Sequence, residues 1–576
     1  MPLVITESRR QTGAGRLLDT PGAALEVAVA PADAPAFEAA WRRAARALCT
    51  AVGWPDARLA ARSFGGGLSL AVAAPVDGLY AAVALNEDAC TLAHANLSGD
   101  DPDATSFDAA VARVRAVIDR DRDDRLVALV AAAAAHGVAC LWDDEALTLG
   151  LGAGSTTWPA DALPEPADVP WDAVHDVPVA LVTGTNGKST TVRMIAAMAT
   201  AAGHTPGVST TDYVAVGADV IETGDFSGPM GARAALRDRR ATAGILEVAR
   251  GGLLRRGVPV PRVAVACVTN VAADHLGEFG VETVEALAEV KFVVAKALVP
   301  GGHLVVNADD ALSMAEVDRQ APWDAALCGT GLDPDAPFLA ATELSASVVD
   351  GQFALRRLRK DINPWQAGAW TALLPVSEAP SALGGTALHN VRNALTAVAA
   401  AAALGLPDAA IVAGLRAFRG DARDNPGRGN HSLVRGATVV VDYAHNAHGT
   451  AALVDYARTL PAARRLVLVS CAGDRSDADV RALAAAARAF CADRTLAADL
   501  PGYLRGRAPG ETPALLVAES LALGAPPGSA EAFEDPPAAA RAALAWARPG
   551  DVLLLFVLSH RDEVAALVQE AVGSGQ

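Results

Sequence analysis

Residues 179–191 read Val-Ala-Leu-Val-Thr-Gly-Thr-Asn-Gly-Lys-Ser-Thr-Thr: an apolar run, a glycine turn, then residues that open a helix. A strand without a polar face has to be covered on both sides, which happens where parallel strands are joined by helices packed over the sheet. After residue 172 short apolar runs keep alternating with longer helical stretches, which predicts an α/β fold with a mostly parallel sheet. Strands are expected at Val177 to Thr183, Ile245 to Glu247, Val263 to Thr269 and His303 to Asn307. A second α/β region, Rossmann-like, follows the turn at Gly427, with strands at Thr438 to Val441, Leu466 to Ser470 and Val552 to Val557. Ligands of open α/β sheets sit beyond the carboxyl ends of the strands.

The turn after the first of these strands is suited to phosphate. Backbone N–H groups of Gly184, Thr185, Asn186 and Gly187 and the positive end of the following helix can surround an anion, Lys188 adds a point charge, and Ser189 or Thr190 offers a hydroxyl to magnesium. The run resembles a P-loop in the shorter Gly-x-x-Gly-Lys-Ser form, because Val182 stands where the longer pattern has its first glycine. Glu247 ends the next strand, where a buried carboxylate beside phosphate calls for a cation. Asn270 and His275, in Thr269-Asn270-Val271-Ala272-Ala273-Asp274-His275-Leu276, approach the same edge.

Composition narrows the partners. At about 100–200 residues per domain, 576 residues predict three or four domains, and 52% hydrophobic residues supply their cores. A formal charge of −18 argues against general affinity for nucleic acid or anionic membrane. Met1 to Arg16 is polar, without the apolar core of a secretory signal. Leu126 to Ala135 and Ala394 to Leu406 are too short to span a bilayer and read as buried helices. Seven scattered cysteines with no CxxC spacing exclude a zinc ribbon or disulfide framework and fit a reducing cytoplasm.

Ahead of the P-loop the pattern differs. Pro159, Pro164, Pro166 and Pro170 mark a boundary between 151 and 172. Before it, strands at Ala24 to Ala30, Leu68 to Ala74, Leu79 to Leu85 and Val138 to Trp142, with helices near 35–52 and 106–136, predict a separate α+β domain with the order of a ferredoxin-like sandwich. Gly65 to Gly67 reads as a turn before a strand, since no lysine or helix start follows. The expected division is 1–170, 173–422 and 423–576.

Several motifs then recur in order. Gly184-Thr185-Asn186-Gly187-Lys188-Ser189-Thr190, Glu247, Thr269-Asn270 with Asp274-His275-Leu276, and His389-Asn390-Val391-Arg392-Asn393-Ala394 together resemble the Mur ligases, ATP-dependent amide ligases that include folylpolyglutamate synthetase. Ser209-Thr210-Thr211-Asp212, Gly224 to Pro229, Leu246 to Gly252 and Gly473-Asp474-Arg475 are most similar to the Mur-like half of cyanophycin synthetases, and the resemblance spans roughly residues 173–576. Those enzymes carry an ATP-grasp module ahead of that half. With 170 residues before the P-loop region there is no room for both it and their usual N-terminal domain, so the resemblance implies a single ligation.

Carried over position by position, the resemblance gives Lys188 to the β/γ-phosphates, Ser189, Glu247 and His275 to magnesium, two ions in all, and Lys291 to a carbamylated lysine that helps hold one of them, with Lys296 as the alternative. It gives Asn393 to the adenine, Asp442 to the nucleotide, Arg428 to the phosphates at a hinge, and Thr211, Asp212, Asp474 and Arg475 to the substrates. The implied partners are an amino acid amine and a carboxylate or acidic peptide acceptor, and a homo-oligomer is compatible with them. Two other readings stay open: an ATP-binding regulatory or scaffold subunit, and a P-loop kinase or ATPase.

Overall fold

The computed structural model describes residues 3–99, 104–358 and 368–573. Its central element is an eleven-stranded sheet. Seven neighbouring strands run parallel, in the order Pro206–Ser209, Ala243–Glu247, Val179–Thr183, Val263–Val268, Leu298–Asn307, Ala326–Thr330 and Leu344–Val349. The P-loop strand Val179–Thr183 is fully buried, as its unbroken apolar run requires. Antiparallel strands are added at both edges, Tyr213–Val216 and Asp219–Thr223 on one side, Gln352–Arg357 and Thr371–Pro375 on the other.

Helices Lys188–Ala201 and Leu388–Ala403 bury one face of this sheet through Val192, Ile195, Met198, Leu395 and Val398. The alanine run expected to be buried at 394–406 is therefore packed as predicted. The C-terminal domain is a six-stranded sheet in which Ala437–Asp442, Val552–Phe556, Arg465–Ser470, Arg494–Ala498 and Ala530–Phe533 are parallel, with Arg428–Val434 added antiparallel at one edge.

The N-terminal part departs from expectation. Leu79 to Leu85 is not a strand but the start of helix Leu79–Ser98. An apolar run without alternation suits a buried helix as well as a buried strand, and alanine at four of the first eleven positions tips the balance to helix. Asn86, fully buried in that helix, accepts from Trp41 Nε1 at 2.9 Å and donates to the Leu70 carbonyl at 3.0 Å, so its amide is satisfied inside the core.

The polar opening segment holds strand Val4–Gln11, which pairs with Gly22–Ala28; the sheet continues to Gly67–Ala73 and Leu59–Phe64, every pair antiparallel. With helices Ala34–Ala51 and Leu79–Ser98 packed together, the sheet keeps the strand arrangement of a ferredoxin-like sandwich, but its edge strand Val4–Gln11 comes first in the chain, so the order along the sequence is β-β-α-β-β-α rather than the expected β-α-β-β-α-β. Val138 to Trp142 contributes instead to a three-stranded sheet of Cys140–Trp142, Ala146–Leu149 and Thr156–Pro159. The stretch 106–136 is two helices, Ala104–Asp121 and Asp124–His136, because Asp123 caps the second by accepting from the Arg125 and Leu126 amides. Within the run 126–135 only Leu129 and Ala133 are buried, so that helix lies at the surface. Among the described residues no helix is long and apolar enough to cross a membrane.

Candidate active site

A cleft of about 690 Å³ opens where the carboxyl ends of the central strands face the C-terminal domain. Its floor is the P-loop. Gly187 has φ 83°, and a Cβ there would lie 2.1 Å from Asn393 Oδ1; one on Gly184, at φ 149°, would lie 1.9 Å from Thr269 Oγ1. Only glycine allows this close approach. The loop is held by the strand beside it: the Thr185 amide donates to the Asn270 carbonyl (2.9 Å), the Asn186 amide to Asn270 Oδ1 (3.0 Å), and Thr269 Oγ1 and Asn270 Nδ2 both donate to the Asn186 carbonyl (2.7 and 3.0 Å). Lys188 Nζ folds back onto the Thr185 carbonyl at 3.0 Å.

Glu247 is buried and accepts three hydrogen bonds: from Ser189 Oγ (2.7 Å), Thr211 Oγ1 (2.7 Å) and the Thr211 amide (3.1 Å). Arg428, first residue of its strand, donates to Ser189 Oγ at 3.3 Å and lies 3.7 Å from Asp212. Asp212 also pairs with Arg193 (2.6 Å) and Arg561 (3.2 Å), so it joins the central and C-terminal domains rather than lining the cleft. Asn186 Nδ2 reaches Asn446 Oδ1 (3.2 Å) and lies 2.9 Å from His448 Nδ1, a second link between the domains. Asp442 lies in the cleft opposite Arg428 in strand register; burial pushes its carboxyl up to about 6, with Arg428 working against the shift.

The opposite wall carries Asp274, His275 and Lys291. Lys291 is buried, and its amine is pushed down to about 7, first by burial and then by the Lys188 charge. Lys296 instead donates to the Gly15 carbonyl (2.7 Å) and pairs with Asp19 (2.8 Å), away from the cleft. Burial lowers His275 to about 4, leaving it neutral and able to ligate. Burial works to raise Asp274, but His445, Arg475 and His275 together hold it well below the usual carboxylate range.

Ligand atoms of Asp274, His275 and His445 lie within 4.8 Å of one another, as do those of His275, Glu278 and Asp474. The all-oxygen Ser189–Glu247–Thr211 cluster fits a hard divalent cation, whereas the two sets containing imidazole are mixed nitrogen–oxygen donors able to hold a divalent ion.

All the expected cleft residues except Asp212, Asp474 and Arg475 are brought together. Arg475 is spent on Asp274 at 2.7 Å and Asp474 pairs with Arg505, so both stand behind the cleft wall, Asp474 with a carboxylate oxygen still within 4.8 Å of the His275 and Glu278 ligand atoms. Sequence reasoning gave no role to His445 or Arg250, although both stand inside motifs it singled out. Arg250 pairs with Glu278, and its Nη1 is buried without a hydrogen-bond partner among the described residues. Arg561, which stacks 4.1 Å from the Tyr443 ring, carried no signal in its own neighbourhood and is found only through the fold.

A P-loop on a parallel sheet, facing a Rossmann-like domain across a cleft of carboxylate, imidazole and lysine, defines a nucleotide-dependent two-domain enzyme core. The family model for the Mur ligase middle domain matches residues 182–401, and that for the Mur ligase glutamate ligase domain matches 428–556. UDP-N-acetylmuramate–L-alanine ligase of Kineococcus radiotolerans is 33% identical over 378 residues, covering 65% of this chain and 70% of that protein. The chain belongs to the Mur ligase family, whose members are ATP-dependent carboxylate–amine ligases.

Cyanophycin synthetase of Synechocystis sp. is 36% identical over 349 residues, 59% of this chain but 38% of that protein, so the chain spans well under half of such relatives. Among solved structures, E. coli FolC in complex with ADP aligns with a TM-score of 0.50 at 23% identity, covering 69% of this chain and 90% of that one, a likeness of fold.

Proposed function

We propose that the protein is an ATP-dependent amide ligase that activates a carboxylate as an acyl phosphate and joins it to the amine of an amino acid. The observation that carries this reading is the convergence on one cleft of Lys188, Glu247, His275 and Lys291, contributed by a helix start, a strand end, a loop and a second helix of the central domain. A scaffold subunit needs no such second cation wall, and a P-loop kinase needs no lysine held near neutrality opposite its phosphate loop. The folding units that accompany the reading are 1–170, 173–422 and 423–576.

Gly184 to Thr190 bind the phosphates of ATP, Lys188 balances charge on the γ-phosphoryl group, and Asn393 and Asp442 face the nucleoside. Two magnesium ions, held by Ser189, Glu247, His275 and a carbamylated Lys291, would supply neutralisation of the phosphate and carboxylate charges. A Lys291 amine poised near pH 7 is neutral often enough to add carbon dioxide, forming an N–C bond and losing a proton.

The γ-phosphoryl passes to an acceptor carboxylate oxygen, releasing ADP. The amine then attacks the carbonyl carbon, the bond to the phosphate oxygen breaks, phosphate leaves, and the nitrogen loses its proton. Arg428 shields the charge that moves, and closure of the C-terminal domain excludes water from the acyl phosphate. Likeness to cyanophycin synthetases supports an acidic peptide acceptor, with one residue added per turnover.

The test is mass spectrometry of products after incubation with ATP, magnesium, amino acids and acidic peptides. A gain of one residue less water, with phosphate release that requires both acceptor and amine, is expected. Phosphate release indifferent to the amine would favour an ATPase instead.

A further inference from the structure

Among the described residues none before Gly184 lines the cleft, yet the N-terminal sheet grips the wall that carries His275 and Lys291. We infer that this sheet is a positioning element: Arg16 and the Gly65–Gly66 turn fix the loop 275–282 and the helix Val284–Phe292, which together present His275 and Lys291 to the cleft. The inference rests on the reading of those two side chains as holding cations.

The loop closes a turn of its own, the Gly277 amide donating to the Val281 carbonyl (2.8 Å) and the Val281 amide to the Glu278 carbonyl (3.0 Å), but two of its residues stand where local preference does not put them. His275 and Phe279 have φ of 50° and 54°, and Gly277 and Gly280 also have positive φ. Side-chain-bearing residues hold such a conformation when their surroundings impose it. Here the surroundings come from the start of the chain. The Gly65 and Gly66 amides donate to the Glu282 carboxylate at 2.6 and 3.2 Å. Arg9 lies 4.8 Å from the centre of the Phe279 ring, with Arg255 over the same ring at 5.5 Å. Gly280 sits so close to the sheet that a Cβ would lie 2.7 Å from Ser69 Oγ and 2.8 Å from Phe64.

The helix is held the same way. Glu289, two residues before Lys291, accepts from Arg16 Nε (3.1 Å) and Nη2 (2.9 Å) and from Arg62 Nη2 (2.6 Å). Arg16 Nη1 also donates to the Gly280 carbonyl at 3.4 Å, so one side chain ties loop and helix together. Arg16 and Glu289 are both nearly buried; Arg16 Nε and Nη2 converge on Glu289 Oε2 while Arg62 holds Oε1, so both carboxylate oxygens are anchored by charge-assisted bonds from the N-terminal part. Positions two apart lie about 200° apart around a helix axis, so with Glu289 turned to the sheet, Lys291 is directed at the cleft.

The test uses the full chain carrying Arg16→Ala, Arg16→Lys or Glu282→Ala, and reads two bindings without turnover: Mn2+ by electron paramagnetic resonance in the presence of a non-hydrolysable ATP analogue, and a fluorescent ADP in the absence of metal. Arg16→Ala is expected to raise the Mn2+ concentration for half-saturation about tenfold while ADP binding stays unchanged, as a lost partner behind a metal ligand does. Arg16→Lys should recover part of that loss, and the exposed Glu282→Ala should shift it about threefold.

Wild-type Mn2+ binding in both alanine variants would overturn the inference, and so would a parallel loss of ADP and Mn2+ binding in Glu282→Ala, which exposes no core. Because neither readout needs a product, a wild-type protein that loads Mn2+ but ligates nothing would sink the ligase reading alone.

Discussion

The two walls of the cleft are built in opposite ways. The backbone of the P-loop wall is fixed within the central domain: Gly184 to Lys188 are held by Thr269 and Asn270, just past the adjacent strand, and by Asn393 on the covering helix, with only the Asn186 side chain reaching Asn446 and His448 of the C-terminal domain. The wall of His275 and Lys291 is fixed from outside, by Arg9, Arg16, Arg62 and the Gly65–Gly66 turn. A nucleotide grip needs backbone amides in one local arrangement, which a short motif can encode. A cation wall needs side chains from distant segments at set separations, so it depends on whatever packs behind it.

Five experiments press on this contrast. The largest effect belongs to the P-loop wall: Lys188→Ala should reduce ATP-dependent ligation by about three orders of magnitude or more, read as amine-dependent phosphate release, because the charge it balances exists only at the transferring phosphoryl group. Near-normal turnover would remove the P-loop from the mechanism.

Lys291→Ala should cost about a hundredfold in kcat with little change in ADP binding, which would separate the walls cleanly. For the unmodified protein the amine must be neutral to add carbon dioxide. Carbamate occupancy should therefore rise as pH increases through about 7, and activity at pH 6.5 should respond more to added bicarbonate than at pH 8.5. A bicarbonate response that is flat across that range would exclude the carbamate.

Gly187→Ala places a Cβ against Asn393 Oδ1 at a left-handed position. It should weaken ADP binding about tenfold and leave metal-wall readouts unchanged.

The smallest effect is on stability. Asp442 has its folded carboxyl pKa raised to about 6 by burial, above the usual value near 4. Between those values the native chain binds the proton that the unfolded chain has lost, so stability falls as pH rises from about 4 to about 6. Asp442→Asn should flatten that slope in thermal unfolding; an unchanged slope would place its cause elsewhere.

Much of the central sheet was legible because buried parallel strands are apolar throughout and the punctuation between them is glycine. The P-loop, Glu247, Asn270 and His275 could be placed at one edge on that basis alone. The N-terminal part was not legible to the same degree. Leu79 to Leu85 has no alternation to distinguish helix from strand; its alanines favour helix, and packing of Ala81, Leu85 and Ala89 in the core shared with helix Ala34–Ala51 fixes that outcome. Strand Val4–Gln11 reads as polar because Arg9 and Glu26 form a buried pair across it, visible only when both strands are in place. Arg475 looked free to meet a substrate, yet it neutralises Asp274 across the domain boundary.

The sequence by itself determined the α/β class, the glycine turn that opens the first central helix, and the meeting of Glu247, Asn270 and His275 with that turn at one edge of the sheet, since these follow from local apolarity, glycine and charge. Only the tertiary structure decided which of two nearby lysines enters the cleft, which charged groups are consumed by one another, and that the first strands of the chain support the cation wall. Those outcomes depend on distances between residues far apart in the chain, which no local pattern carries.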